Sequence, residues 1–108
     1  GGADAPGTTL NLPLAQGTDE RAYLMALEQA LSAIQEFTPT ALVISLGFET
    51  YRDDPLTSFR LEKTSFHSIG QRIADLSLPT LYVQEGGYSV EGVGDCAVEF
   101  FRGVLESA

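Results

Sequence analysis

The sequence predicts an α/β layered domain built on parallel strands. Two apolar runs of strand length, residues 41–46 and Thr80–Gln84, alternate with segments whose apolar residues recur at helical spacing. Near-continuous apolar runs suit strands buried on both faces, and strand–helix alternation implies right-handed crossovers between parallel strands. With 108 residues, 44% of them apolar, the chain has room for one domain with a core and not for two.

Taken in order, residues 1–7 read as a flexible N-terminal end. Residues 8–14 read as a short extended strand closed by Pro13. From Thr18 to Phe37 the residues Tyr23, Leu24, Leu27, Leu31, Ile34 and Phe37 mark one helical face. Thr18 is the expected N-cap, with Asp19 and Glu20 in the first turn, and Pro39 prevents further helix. After the strand 41–46 comes a polar loop, residues 47–60, with Glu49, Arg52, Asp53, Asp54 and Pro55. Phe66, Ile69, Ile73 and Leu76 define a second helix, separated by Pro79 from the second strand. That strand runs into Glu85-Gly86-Gly87-Tyr88, whose glycine pair marks a tight turn. A last helix from about residue 90 to 105 turns Val93, Ala97, Phe100 and Val104 inward, weakened by Gly92, Gly94 and Gly103.

Composition excludes several functions. A net charge of −9 opposes binding to nucleic acid or to an anionic membrane, because phosphates repel such a surface. It is compatible with a cationic small ligand. A single cysteine, Cys96, rules out an internal disulfide and a multi-cysteine zinc knuckle, and reads as a small hydrophobe. A single histidine, His67, cannot build a histidine-rich active site alone, and its place beside Phe66 suits a helix-side hydrogen bond. No targeting signal or membrane span is visible, so a cytoplasmic location is the expectation. The only methionine is Met25, which suggests a segment of a longer chain.

Ligands in such folds gather at the C-terminal ends of strands, which singles out the loops 47–60 and 85–90. The glycine spacing fits neither the dinucleotide fingerprint nor the P-loop. A phosphoacceptor site built on Asp53 and Asp54 would need a lysine that the second strand lacks. Glu49, just beyond a buried strand, suits a metal ligand or, more plainly, a turn cap or a partner of Arg52 or Arg60. Asp53 and Asp54 before Pro55 suit a turn. Tyr88 would either aim its phenol into a cleft, as a donor to developing negative charge, or pack at a strand end.

Two motifs in order weigh on these alternatives by resemblance. The stretch Ser45-Leu46-Gly47-Phe48-Glu49-Thr50-Tyr51-Arg52-Asp53-Asp54-Pro55-Leu56, followed by Glu85-Gly86-Gly87-Tyr88, resembles the zinc-dependent histone deacetylase and acetylpolyamine amidohydrolase superfamily, and its acetylpolyamine branch most. Thr9-Leu10-Asn11-Leu12-Pro13-Leu14 and Gly17 are similar to the family's preceding segment. The resemblance covers nearly the whole chain and the C-terminal third of the family's catalytic domain. It implies a three-layer parallel-sheet fragment of the arginase–deacetylase type over residues 1–108, in which the strands 41–46 and 80–84 are neighbours.

The resemblance further implies zinc as cofactor and an acetylated amine as substrate. Tyr88 takes the place of the tyrosine that hydrogen-bonds the substrate carbonyl and the tetrahedral intermediate. Gly86 and Gly87 take the place of the channel glycines, and Asp54 and Pro55 shape the ligand loop. Glu49 stands where the family has an aspartate zinc ligand, a departure that would move the carboxylate by roughly 1 Å. The family's paired histidines and its Asp-x-His ligands have no counterpart here. The chain alone is therefore expected to be inactive and to bind zinc weakly. Its expected partner is itself or the missing N-terminal part of the domain. The alternative is a non-catalytic remnant that acts as a self-associating module.

Overall fold

A computed structural model describes residues 1–107. Its elements are α1 (Glu20–Phe37), β1 (Leu42–Leu46), α2 (Lys63–Ala74), β2 (Thr80–Gln84) and α3 (Val93–Leu105). The first helix starts one residue later than expected: Asp19, not Thr18, is the N-cap, and its carboxylate accepts the Ala22 N–H at 3.0 Å. Both residue types cap well, and the Thr18 hydroxyl instead donates to the Ala15 carbonyl at 2.5 Å. Glu62 and Ser65 form a reciprocal capping box at the start of α2. The last helix begins at Val93 rather than near residue 90, behind a turn in which Ser89 Oγ and its carbonyl both accept the Gly92 N–H.

The two strands pair in parallel, Leu42 against Thr80 through Leu46 against Gln84. The expected strand over residues 8–14 is not part of this sheet. Pro13 removes a donor that pairing would need, and Leu12 and Leu14 instead share a groove with Tyr23, Leu27 and Ala30 of α1.

Alternation along each strand decides where the core sits. Leu42, Ile44, Leu46 and Tyr82 join Leu31, Phe66, Ile69, Ile73, Cys96 and Phe100 in one cluster drawn from all three helices. Tyr82 packs edge-on to Phe100 at 5.5 Å. The opposite face stays open: Val43 is 65% and its partner Leu81 60% exposed. The expectation of strands buried on both faces thus holds for one face among the described residues.

The tightest packing joins α2 and α3. A Cβ at Gly70 would fall on the Phe100 carbonyl, and one at Gly103 on the His67 carbonyl. These two glycines let the helix backbones touch, which keeps Phe100 and Cys96 fully buried.

Candidate catalytic cleft

Parallel pairing brings the loops after β1 and β2 out at the same end of the sheet, and backbone hydrogen bonds then carry the pairing beyond the strands. Glu85 N–H donates to the Leu46 carbonyl at 2.9 Å, and Phe48 N–H donates to the Gly86 carbonyl at 3.0 Å.

The loop after β1 is polar in composition but anchored by apolar side chains. Phe48, Tyr51 and Leu61 are buried, and Phe48 packs edge-on to Phe66 at 5.2 Å. Two successive turns follow, closed by Tyr51 N–H to the Phe48 carbonyl and Asp54 N–H to the Tyr51 carbonyl. Sequence reasoning missed these anchors, although three large apolar residues in so polar a stretch were the available signal.

Asp54 is 4% exposed and is the one charged side chain among the described residues found buried. A buried carboxylate is tolerated only when it is hydrogen-bonded. Oδ1 accepts the Leu56 N–H at 2.8 Å, closing the turn through Pro55, and Oδ2 accepts the Tyr88 N–H at 2.6 Å. Asp53, its neighbour, is exposed and accepts the Tyr51 hydroxyl at 3.0 Å. Burial first, and Asp53 second, push the Tyr51 phenol up from its ordinary value, so it remains a donor at neutral pH.

Tyr88 follows Gly87, whose φ of 141° is strained for any other residue. A Cβ there would also meet Val93 Cγ2 at 2.7 Å. Tyr88 is 53% exposed. It borders an open cleft of about 480 Å³ together with Tyr51, Asp53, Pro55, Ser89 and Glu91. Lys63, on the same cleft, is paired with Asp95 at 2.7 Å, and that bond raises its pKa.

Glu49 lies at the root of the loop, half-buried, with its carboxylate over Gly47 and Gly86; a Cβ at Gly86 would fall on its Oε1. Arg52 pairs with Glu62 and Asp53 instead, so the Arg52 alternative for Glu49 does not hold. Among the described residues no hydrogen bond or ion pair engages the Glu49 carboxylate, which suits it to one position of a metal site. A whole site is a different matter: no group of three or more His, Cys, Asp and Glu side chains among the described residues is placed to hold a metal. His67 lies away from the cleft, with Nε2 2.5 Å from Glu106 Oε2. Cys96 is buried in α3.

Residues 1–104 match the family described as the histone deacetylase domain. The chain is 45% identical over 97 residues to acetylpolyamine amidohydrolase 1 of Pseudomonas aeruginosa, covering 90% of this chain and 28% of that protein. It is 41% identical over 103 residues to an acetylpolyamine amidohydrolase of Burkholderia pseudomallei, covering 95% of this chain and 30% of that protein. The crystal structure of acetylpolyamine aminohydrolase from Burkholderia pseudomallei matches with a TM-score of 0.88 at 41% identity, over 90% of this chain and 28% of the other. The chain thus spans less than a third of the length of these relatives.

Proposed function

Because the chain belongs to the histone deacetylase domain family, we propose that it is the C-terminal part of a zinc-dependent amidohydrolase that removes acetyl groups from acetylated amines, of the acetylpolyamine or acetyl-lysine type. The family is zinc-dependent in general, and the parallel α/β fold is that of histone deacetylase-type proteins. The observation that carries the reading is Tyr88: a half-exposed phenol on a glycine-shaped turn, at the end where the two strand loops converge on a cleft.

In this reading Tyr88 donates its phenolic proton in a hydrogen bond to the acetamide oxygen. That bond strengthens as negative charge develops there. Gly86 and Gly87, which leave room for the Glu49 carboxylate and for Val93, stand where the resemblance puts the channel glycines, and Asp54 with Pro55 holds the facing loop. Glu49 would supply one zinc ligand, the remaining ligands and the proton-handling base coming from the rest of the catalytic domain. Zinc, when bound, supplies Lewis-acid polarisation of the carbonyl. A cytoplasmic location belongs to the same proposal; among the described residues no helix is long and apolar enough to cross a membrane.

The test is acetate release. The zinc-loaded protein carrying the whole domain should deacetylate an acetylated polyamine or an acetyl-lysine peptide, and the 108-residue chain alone should not. No release from either substrate by the whole protein would sink the proposal. The alternative, a self-associating module without chemistry, is favoured by the open apolar sheet face at Val43 and Leu81. Zinc-dependent turnover by the whole protein would remove it.

A further inference from the structure

Tyr88 is 53% exposed, so packing alone does not hold it in the cleft. Its backbone sets where the side chain enters. On one side Gly87 takes a φ of 141°, and on the other the Ser89 turn leads into α3, with Val93 N–H donating to the Ser89 carbonyl at 2.8 Å. Between these turns, the Tyr88 N–H has a single acceptor, Asp54 Oδ2 at 2.6 Å. Asp54 is itself held: its N–H donates to the Tyr51 carbonyl at 3.0 Å, its Oδ1 accepts the Leu56 N–H, and it is almost wholly buried. A bond between a carboxylate and an N–H is charge-assisted and shorter than a neutral one.

We infer that Asp54 is a positioning residue for Tyr88: by accepting the Tyr88 backbone N–H, its buried carboxylate fixes where the phenol stands in the cleft. The inference rests on the proposed role of Tyr88 as the hydrogen-bond donor, and goes beyond it by placing the control of that donor on the opposite loop. Asparagine keeps the shape of Asp54 but can turn an NH₂ toward one of the two N–H groups it now satisfies. In either orientation the bond to the Tyr88 N–H is lost or is no longer charge-assisted, so the tether on the Tyr88 turn weakens.

The experiment is a double-mutant cycle of Asp54→Asn and Tyr88→Phe in the whole zinc-loaded protein, with folding of each variant checked by thermal melting. Asp54→Asn should lower kcat by roughly 10–100-fold with little change in KM, the scale expected of a misplacement near 1 Å. In the Tyr88→Phe background the same change should cost almost nothing, because the group it positions is gone. A loss from Asp54→Asn that persists undiminished in that background, or its absence in the Tyr88-containing protein, overturns the inference. If Tyr88→Phe alone leaves turnover unchanged, the failure lies with the role of Tyr88 and not with Asp54. Amide hydrogen exchange covers the case of a variant that does not fold. In the unmodified protein the Tyr88 N–H should be protected despite its exposed side chain, and unprotected exchange there would also overturn the inference.

Discussion

Asp54 and Tyr88, 34 residues apart in sequence, are joined by a 2.6 Å hydrogen bond from the Tyr88 backbone N–H to the Asp54 carboxylate. Together with Phe48 N–H to the Gly86 carbonyl, this bond extends the pairing of β1 and β2 into their loops. The cleft beside Tyr88 therefore has walls fixed to the sheet rather than free loop tips.

The crossing of α2 and α3 gives the sharpest stability prediction. Gly70→Ala or Gly103→Ala should each cost about 1–3 kcal/mol or more, because the added methyl meets a helix carbonyl that cannot swing away. Gly94→Ala, in the same helix as Gly103 but with open space around it, should be neutral or stabilise by up to about 1 kcal/mol. Urea titration of the three variants checks this. Equal effects at Gly94 and Gly103 would mean that helix propensity, not contact, governs both.

That contrast shows what the sequence could and could not disclose. The apolar runs of β1 and β2, set off by Pro39 and Pro79, made the parallel strands legible, and strand ends pointed to the two loops that border the cleft. Gly103 read only as a weak point in a helix, because the carbonyl it makes room for belongs to α2. Residues 8–14 carry an extended pattern but no local sign that their neighbour is α1 rather than a strand. Asp54 was legible as a turn residue from its place before Pro55. Its second bond, to Tyr88, spans two loops and leaves no local trace. Thr18 and Asp19 are both good caps, and only the bond to Ala22 decides between them.

Cys96 should be inert in the native protein. It is 0% exposed, and burial pushes its thiol up to about 11. At pH 8 a disulfide reagent should not react until denaturant is added. A raised thiol pKa stabilises the fold at any pH below its unfolded value, about 8.5, and that contribution fades as pH climbs toward 11. Rapid labelling at pH 8 without denaturant would show that α3 opens readily.

Glu49→Asp, in the whole protein, should preserve or raise turnover, since aspartate is the shorter ligand implied at this position by the resemblance. The carboxylate is free of other bonds, so shortening it breaks none. A drop of about ten-fold or more, ~1.4 kcal/mol of transition-state stabilisation, would mean that the loop has adapted to glutamate.

The isolated 108-residue chain should self-associate through the open sheet face. Val43 and Leu81 lie opposite each other in register and are both largely exposed, and an exposed apolar patch drives association. The net charge of −9 opposes this weakly, since repulsion is screened beyond ~8 Å at physiological salt. Light scattering at micromolar concentration should show dimers or larger species, and a double change Val43→Lys and Leu81→Lys should leave monomers. A folded, monomeric unmodified chain would remove the self-association reading.

The most direct measurement is kcat for an acetylated amine before and after Tyr88→Phe in the zinc-loaded protein with its whole domain. The change deletes one hydroxyl from a half-exposed side chain and leaves the backbone bond to Asp54 in place, so the fold should be unaffected. The expected result is a fall of about 10²–10³-fold in kcat with an unchanged melting temperature, the scale of losing one oxyanion donor. Turnover that survives the loss of the hydroxyl at full rate would contradict the assignment of this cleft as the place where the acetyl group is cleaved.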